Sequence, residues 1–205
     1  MRATRRWRFR LVEAAIHQTD EVVSSEEEPL ILVDESDREI GHLSKGACHD
    51  GDGVLHRAFS LFIFNSEGEL LLQQRSEEKR LWPLFWSNSC CSHPRRGETI
   101  QLATERRLTQ ELGMASKIHH LFTFQYQAPY LDLGSENEVC WVYAGHSTDE
   151  PQPNDHEIAA IRWIKPDDLD REFETRPEIF TPWFAMEWPR VRTAFQRILG
   201  LSTRE

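Results

Sequence analysis

One helical pattern, preceded and followed by runs typical of β-strands, most constrains the fold of this chain. Long and apolar side chains recur at helical spacing between Glu98 and Leu112, and Gly113 follows directly as a stop signal. β-forming runs lie at 29–34, 57–64, 69–75, 121–127, 139–145 and 158–164, and a last helix is predicted near 189–199. Strands on both sides of one central helix favour an α+β protein, an α/β sandwich in which helices flank a mixed sheet.

Two of these β-forming runs, 57–64 and 69–75, are separated only by the turn-forming residues 65–68, Asn-Ser-Glu-Gly. Asn and Gly favour tight turns because they tolerate backbone conformations that other residues avoid. We therefore predict that the two runs pair as a hairpin. Residues 76–97 lack a regular pattern and are predicted to form a long loop of the kind that carries function.

The composition limits the class of protein. The 205 residues carry a net charge of −10 and are 39% hydrophobic, which is typical of one soluble globular domain. An acidic chain is repelled by phosphate backbones and anionic lipid, so nucleic acid is not expected as a partner. No apolar run is long enough to span a membrane, so membrane insertion is not expected either. The oligomeric state stays open.

The four cysteines bear on the cellular compartment. Cys48, Cys90, Cys91 and Cys140 do not form the pattern of a disulfide framework, and two of them are adjacent. The sequence also shows no signal peptide. We therefore interpret the cysteines as reduced thiols and expect a cytoplasmic protein.

The first 28 residues differ from the rest of the chain. Arginines open this segment and the run Ser24-Ser25-Glu26-Glu27-Glu28 closes it, with Trp7 and Leu11 between them. Two interpretations stand, a disordered terminus and a short amphipathic helix. We divide the chain into an N-terminal extension at 1–28 and a domain at 29–205 that includes the C-terminal helix.

The predicted central helix carries a motif. It resembles the Nudix box, G-x5-E-x7-R-E-U-x-E-E-x-G-U, in which U is a bulky aliphatic residue. The matching positions are Glu98, Arg106, Leu108, Glu111, Gly113 and Met114, and the departing positions are Ser92, Arg107 and Gln110. The resemblance implies the Nudix fold, a mixed β-sheet flanked by helices.

The departures from the motif bear on the chemistry. Nudix hydrolases hold Mg²⁺ against a diphosphate with clustered glutamates on this helix. Arg107, Gln110 and Glu111 should share one helix face because they are three or four residues apart. Since an arginine and a glutamine replace two of the glutamates, only Glu111 of that cluster remains. This favours a Nudix scaffold that binds a diphosphate and is diverted from hydrolysis.

Segments outside the helix resemble a more specific family, the type I isopentenyl-diphosphate isomerases. The resemblance rests on KGACHDGDGVLHRAFS (45–60), RSEEKRLWPLFWSNSCCSHP (75–94), FQY (124–126), ENEVC (136–140) and TPW (181–183). It covers about residues 30–199. It implies interconversion of isopentenyl and dimethylallyl diphosphate by protonation and deprotonation, in isoprenoid biosynthesis.

The resemblance also implies a metal site, with the ligands His49, His56, His93, Glu136 and Glu138. Glu136 and Glu138 alternate, so on a strand their side chains point to one face. Five nitrogen and oxygen ligands suit a roughly octahedral ion better than a closed tetrahedral zinc site. Mg²⁺, Mn²⁺ and Zn²⁺ all stay open as the resident metal. A second Mg²⁺, held by Glu111, is expected to arrive with the substrate.

The catalytic residues implied by the resemblance are Cys91 and Glu138 for proton transfer, Tyr126 as a relay, and Trp183 to stabilise a carbocation. Cys91 precedes the predicted helix, where the helix dipole favours a thiolate. Cys90 should point the other way in an extended segment, so we expect it to pack in the core.

The substrate's diphosphate is expected to bind four cations, Lys45, Arg75, Lys79 and Arg106. Lys45, Arg75 and Lys79 match positions that bind diphosphate in the family, and Arg106 is added as a further candidate. Arginine can contact two phosphate oxygens at once, whereas lysine acts as a point charge.

Two other functions stand against the isomerase. A Nudix-type diphosphate hydrolase with a degenerate box would account for diphosphate binding, but not for Cys91 or for the pair Glu136 and Glu138. A non-catalytic metal-binding module would account for the histidines, but not for the cations that suit a diphosphate.

Overall fold

The computed structural model describes the backbone of residues 21–202 and the side chains of residues 21–194. Within that part, the elements in chain order are β1 (Pro29–Val33), β2 (Glu39–Ser44), α1 (Lys45–Cys48), β3 (His56–Phe64), β4 (Leu70–Arg75), β5 (Trp86–Ser87), β6 (Cys90–Ser92), α2 (Ile100–Leu112), β7 (Lys117–Tyr130), β8 (Gly134–His146), β9 (Ile158–Ile164), α3 (Pro166–Thr175), a 3₁₀ turn (Pro177–Ile179) and α4 (Pro182–Ser202). The predicted terminal extension falls mostly on residues 1–20, outside the described part, and its boundary at residue 28 stays a prediction.

Strand β3 is the centre of the sheet. It pairs in parallel with β8 along its whole length, from His56 opposite Glu138 to Phe64 opposite His146. On its other edge it pairs antiparallel with the short strand β6. The long strands β7 and β8 form an antiparallel ladder next to it. Parallel and antiparallel pairs therefore share one sheet, and the predicted mixed sheet is confirmed.

The predicted hairpin of β3 and β4 is confirmed only next to its turn. Among the described residues, these two strands share one ladder pair, Phe64 opposite Leu70. Strand β4 instead pairs antiparallel with β9 on one edge and with β5 on the other. Because β8 and β6 occupy both edges of β3, β4 must diverge after the turn and find other partners. The tight turn thus determines where the chain reverses direction, but it does not determine which strands pair with β3 and β4.

Side chains of β3 alternate between two hydrophobic clusters, one on each face of the sheet. One cluster is formed with α2 and contains Phe59, Leu61, Ile63, Leu108 and Leu112. The other is formed with α4 and contains Ala58, Phe62, Phe64, Phe184 and Val191. Since alternate residues of a strand face opposite sides, a continuous apolar run is what a strand buried on both faces requires. The predicted sandwich of helices on a sheet is confirmed.

Helix α2 begins and ends close to its predicted limits. The Thr99 side chain accepts a hydrogen bond from the Leu102 amide and caps the first turn. Gly113 ends the helix with φ +62°, and its amide donates to the carbonyl oxygens of Leu108 and Thr109. The helix therefore presents a fixed face to the sheet beside β6.

Helix α4 begins at Pro182 rather than near residue 189, so Pro189 lies inside it. The predicted apolar face of this helix beyond residue 194 lies outside the described side chains. Among the described residues, no helix combines the length and the hydropathy needed to cross a membrane. The first turn of α4 lies at the cavity that is described below.

Candidate active site

Five side chains that can bind a metal converge beside the central strand. Each offers one ligand atom, and these atoms all lie within 4.8 Å of one another. They are the five predicted ligands, His49, His56, His93, Glu136 and Glu138. The histidines follow α1, begin β3 and follow β6, and both glutamates are on β8. Four separate stretches of sequence therefore build one cluster.

Sheet register and one glycine bring these stretches together. In the parallel pairing of β3 and β8, His56 lies opposite Glu138. Gly134, at the start of β8, has φ +145°, and a Cβ there would lie 2.1 Å from the carbonyl oxygen of His49. The neighbouring Ser135 amide donates to that same oxygen at 3.0 Å. Because Gly134 has no side chain, the turn that carries His49 can dock directly on β8.

The imidazole nitrogens of the cluster face its carboxylates at short range. His49 Nε2 lies 2.8 Å from Glu136 Oε2. His93 Nε2 and His56 Nε2 lie 3.0 and 3.6 Å from Glu138 Oε1. The three rings are also close to one another, with centroids 4.8 to 5.4 Å apart. Such a concentration of lone pairs and negative charge favours a cation at its centre.

Hydrogen bonding around the cluster leaves metal-binding atoms free. His56 Nδ1 lies 2.7 Å from the carbonyl oxygen of Val54, which orients the ring and directs Nε2 into the cluster. His49 Nε2, His56 Nε2 and Glu136 Oε2 are buried and make no hydrogen bond to any described residue, since the His49–Glu136 contact lacks hydrogen-bond geometry. Buried polar atoms are rarely left unpaired. These residues therefore fit a divalent metal ion.

Burial and neighbouring charge set the protonation of the cluster in the metal-free protein. Burial, helped by the two neighbouring histidines, lowers the pKa of His93 well below its usual range. Burial alone would raise the pKa of Glu138, but the contacts with His56 and Tyr126 outweigh it and the net pKa lies below its usual value. A neutral imidazole and an ionised carboxylate are the forms that bind metal ions.

The two adjacent cysteines point to opposite faces of the sheet. Cys90 is fully buried and belongs to the cluster that packs on α2. Cys91 packs against the cluster on the α4 side and lines the cavity. The separation follows from the pleat of β6, because successive side chains of a strand alternate. The expectation that Cys90 packs in the core is confirmed.

The expectation that a helix dipole makes Cys91 a thiolate is wrong. Cys91 is on β6 and α2 begins only at Ile100, whereas the effect of a helix dipole falls off within one turn. Burial raises the pKa of the Cys91 thiol to about 12, although the positive charge of Arg75 acts in the opposite direction. In the metal-free protein Cys91 therefore carries its proton at neutral pH.

Tyr126 and Glu138 face each other on strands β7 and β8. They form a cross-strand pair, and the Tyr126 hydroxyl donates to Glu138 Oε2 at 2.7 Å. Burial raises the pKa of Tyr126 well above its usual value, which keeps the phenol protonated as a donor. The other Glu138 oxygen faces His93 at 3.0 Å. One carboxylate thus joins the tyrosine to the metal-binding cluster.

Trp183, in the first turn of α4, forms one wall of the cavity. It is 3% exposed, and its Nε1 donates to Ser87 Oγ at 3.1 Å. Its ring lies 6.4 Å from that of Tyr126. An indole face held in a dry site attracts positive charge through its π-electrons. The π face of Trp183 thereby suits a cation in the cavity, and the Arg75 guanidinium carbon lies 5.2 Å from the centre of the Trp183 ring.

A cavity of 210 Å³ joins the predicted catalytic residues to the metal-binding cluster. Cys91, Tyr126, Glu138 and Trp183 line it, together with His49, His93 and Glu136. It is smaller than the pockets that hold drug-sized ligands, which measure about 300–1,000 Å³. The cavity therefore suits a small substrate.

Three of the four cations predicted to bind a diphosphate line the same cavity. They are Lys45, Arg75 and Lys79. The Arg75 guanidinium donates to two backbone carbonyl oxygens of the loop that follows it, which holds it in place. Lys79 forms an ion pair with Glu157. The positive charges therefore lie beside the residues predicted for proton transfer.

The fourth cation, Arg106, is not among the residues that line this cavity. Its Nε and Nη2 lie 2.7 and 2.8 Å from the two carboxylate oxygens of Glu98. This pair links the first glutamate and the arginine of the Nudix-like motif and holds the segment before α2 against the helix. The structure does not bring Arg106 to the other predicted diphosphate ligands.

Glu111, the predicted ligand of a second Mg²⁺, is buried and held by Arg107. Nε of Arg107 lies 2.9 Å from Glu111 Oε1, and its Nη2 lies 3.0 Å from Glu157 Oε2. The Arg107 guanidinium thus bridges two carboxylates. Glu111 lies on the helix face where a Nudix hydrolase carries its glutamates, and Glu157 directly precedes β9. Magnesium binding by Glu111 stays a prediction.

Sequence reasoning missed two buried acidic residues near the cavity, Glu157 and Glu187. Glu187 is fully buried, and the Cys140 thiol lies 3.5 Å from its Oε1. The sequence does contain a pattern that indicates burial of Glu187, because Glu187 lies on the same helix face as Phe184, Trp188 and Val191. No comparable pattern singles out Glu157, which follows an irregular segment.

Glu187 should make the stability of the metal-free protein depend on pH. Burial raises its pKa to about 8 from the ordinary value of 4.5, so the folded state keeps a proton that the unfolded chain releases. This contribution to stability is complete below pH 4.5 and is lost as the pH rises through 8. Glu187→Gln should raise the free energy of unfolding by roughly 3 kcal/mol at pH 8, and by less than about 1 kcal/mol at pH 5. Urea unfolding at both pH values tests this, and equal effects would contradict it.

The sequence of this chain matches a known domain family and is similar to curated proteins. Residues 54–184 match the NUDIX domain family. The chain is 42% identical over 163 residues to isopentenyl-diphosphate Delta-isomerase 1 of Photorhabdus laumondii, an alignment that covers 78% of this chain and 93% of that protein. It is 40% identical over 176 residues to isopentenyl-diphosphate Delta-isomerase of Pectobacterium atrosepticum, with 85% and 97% covered.

Solved structures support the same fold. The crystal structure of DR0079 from Deinococcus radiodurans aligns with a TM-score of 0.65 at 26% identity, over 80% of this chain and 98% of that chain. A MutT NUDIX hydrolase from Burkholderia pseudomallei aligns with a TM-score of 0.54 at 21% identity, over 67% of this chain and 98% of that one, and shows the fold alone. From the domain match and from relatives that align over most of its length, the chain belongs to the isopentenyl-diphosphate Delta-isomerase family of the Nudix superfamily.

Proposed function

We propose that this protein is an isomerase that interconverts isopentenyl diphosphate and dimethylallyl diphosphate in isoprenoid biosynthesis. Curated relatives that align over most of the chain are named for this reaction. The observation that carries the proposal is one small cavity, in which Cys91 and Tyr126 lie beside the metal-binding cluster that contains Glu138, and beside the cations Lys45, Arg75 and Lys79.

The reaction moves a carbon–carbon double bond, which requires one proton to be added and another to be removed. Protonation of the terminal methylene carbon of isopentenyl diphosphate forms a tertiary carbocation. Removal of a proton from the carbon on the other side of the cation forms the new double bond. The reaction therefore needs an acid, a base and a cavity that keeps water away from the cation.

Cys91 and Glu138 are the proposed proton-transfer pair. Both line the cavity, so both can reach the carbon skeleton of a small substrate. Tyr126 donates a hydrogen bond to Glu138 and is the proposed relay for its proton. Trp183 presents its indole to the same space and would stabilise the carbocation by about 2 kcal/mol. The group that acts as acid in one direction acts as base in the other.

The five clustered ligands would hold one divalent ion, with Mg²⁺, Mn²⁺ and Zn²⁺ as candidates. The bound ion supplies positive charge that orients its ligands and lowers their affinity for protons. Glu138 would then serve both as ligand and as proton-transfer group, while its second oxygen keeps the hydrogen bond from Tyr126. This shared role ties the geometry of the carboxylate to the metal site.

Lys45, Arg75 and Lys79 are the proposed ligands of the substrate's diphosphate. Their positive charges lie at the cavity and can neutralise phosphate oxygens. A Mg²⁺ ion that enters with the diphosphate is proposed to reach Glu111. We do not extend this role to Arg106, because it does not line the cavity and its guanidinium pairs with Glu98.

The runner-up function is a Nudix-type diphosphate hydrolase. The helix speaks against it, since Arg107 and Gln110 stand where a hydrolase carries two further glutamates that hold Mg²⁺ and activate water. The net charge of −10 and the four free cysteines support a cytoplasmic enzyme with a small-molecule substrate and without nucleic acid as a partner.

Solvent deuterium distinguishes these functions. Purified protein is incubated with Mg²⁺ and isopentenyl diphosphate in deuterated water, and the products are analysed by mass spectrometry. An isomerase should form dimethylallyl diphosphate that carries solvent deuterium. Phosphate release without rearrangement would support the hydrolase, and absence of turnover would support the metal-binding module.

A further inference from the structure

The chain segment before β1 crosses the cationic end of the cavity. We call residues 21–28 the acidic strap, because four of its eight residues are glutamates. Val22, Ser24, Glu26 and Glu28 of the strap line the cavity together with Lys45, Arg75, Lys79 and Arg80. A negatively charged segment of the chain thus lies where the diphosphate of a substrate is proposed to bind.

The backbone of the strap is anchored to the domain. Val23 is 6% exposed, and its carbonyl oxygen accepts a hydrogen bond from Arg107 at 3.0 Å. The Lys45 amide donates to the carbonyl oxygen of Glu28, and the Gly46 amide donates to that of Glu26, at 2.8 and 2.9 Å. The strap is therefore a docked part of the cavity wall, with defined side-chain positions.

One side chain of the strap, that of Glu26, reaches the cations from the solvent side. Its Oε1 lies 3.5 Å from Lys45 Nζ, and its Oε2 lies 4.0 Å from Arg80 Nη1. The Glu26 side chain is 52% exposed, so these ion pairs are weak and a stronger anion can replace them. Lys79, by contrast, is paired with Glu157, which is only 3% exposed in its side chain.

We propose that Glu26 is an internal competitor of the substrate's diphosphate, which must displace its carboxylate from Lys45 in order to bind. This inference rests on the proposed function for the identity of the anion. The charge of Glu26 then lowers the affinity of the cavity for diphosphates. The charge of Glu26 also makes the cavity selective, because a multiply charged anion can displace the carboxylate more easily than a singly charged anion can.

The neighbouring residue Glu27 provides a matched control. Its side chain makes no hydrogen bond or ion pair with another described residue, and it does not line the cavity. Glu26→Gln and Glu27→Gln remove the same charge from adjacent positions and keep the shape of the side chain. A difference between the two variants therefore reports the contacts of Glu26 rather than the net charge of the protein.

Calorimetric titration with inorganic pyrophosphate and Mg²⁺ tests the inference on full-length protein. Glu26→Gln should lower the Kd for pyrophosphate by about 3- to 10-fold, and Glu27→Gln should change it by less than about 1.5-fold. The gain should shrink at 0.5 M salt because exposed charges are screened. The KM for isopentenyl diphosphate should fall with the Kd in Glu26→Gln.

Two results would overturn the inference: equal Kd values for the two variants, or weaker pyrophosphate binding by Glu26→Gln. The proposed function is tested separately by isomerisation in the unaltered protein. If that protein binds pyrophosphate but does not isomerise, a gain in Glu26→Gln still supports competition by Glu26, and the isomerase proposal fails alone.

Discussion

Replacing Cys91 with alanine is expected to reduce kcat/KM for isopentenyl diphosphate by at least about 1,000-fold, while the protein stays folded. Cys91 is one of the two proposed proton-transfer groups, and a positioned acid or base typically contributes about 10²- to 10⁴-fold to a rate. Alanine removes the thiol, and the cavity around it holds no second thiol among its lining residues. Steady-state kinetics and circular dichroism of the purified variant measure both parts of this expectation.

The adjacent cysteine supplies the control for this experiment. Cys90→Ala truncates a buried side chain that packs on the α2 side, away from the cavity. It should lower the free energy of unfolding by about 1 kcal/mol and leave kcat/KM within about threefold of its original value. An active Cys91→Ala variant beside an inactive but folded Cys90→Ala variant would overturn the assignment.

Glu138→Gln is expected to have a comparable effect for a different reason. The Glu138 carboxylate faces His56, His93 and Tyr126, so its charge serves the metal site and proton transfer together. Glutamine keeps the shape but offers a weaker ligand and cannot accept a proton at neutral pH. We expect kcat to fall by at least about 1,000-fold and the affinity for the divalent ion to fall at least about 10-fold.

Metal content by inductively coupled plasma mass spectrometry and turnover by deuterium incorporation separate these two effects. Tyr126→Phe is the graded comparison, because it removes one hydrogen bond to Glu138 and no metal ligand. It should retain metal and lose activity by about 10- to 100-fold. Full activity in metal-loaded Glu138→Gln would contradict the proposed role of this carboxylate.

Local pattern predicted eight elements of this fold, β1, β3, β4, α2, β7, β8, β9 and α4, but it missed the strands β5 and β6 inside the predicted loop at 76–97. The helix that ends at Gly113 could be identified because an apolar face and a stop signal agree over more than three turns. The strand 158–164 was predicted at its observed limits. The pairing of 57–64 with 69–75 was not predictable from the turn between them, because partner choice depends on strands that are distant in the sequence.

The candidate site also combines features that the sequence predicted with features that depend on the tertiary structure. The family resemblance indicated five metal ligands, and the structure brings all five within 4.8 Å of one another. The protonation of Cys91 could not be read from its position before a helix, because burial of the thiol in the folded protein sets its pKa. The ion pair of Arg106 with Glu98 likewise depends on how the preceding loop packs on α2.

The sequence by itself determined the class of fold, the family and the residue types of the candidate site, because these depend on local periodicity and on motifs of fixed spacing. Only the tertiary structure decided which side chains share a cavity, which cations are already paired and which buried acid, Glu187, keeps its proton. The physical reason is that burial and charge pairing are properties of residues far apart in the chain, such as Glu26 with Lys45 and Arg107 with Glu157.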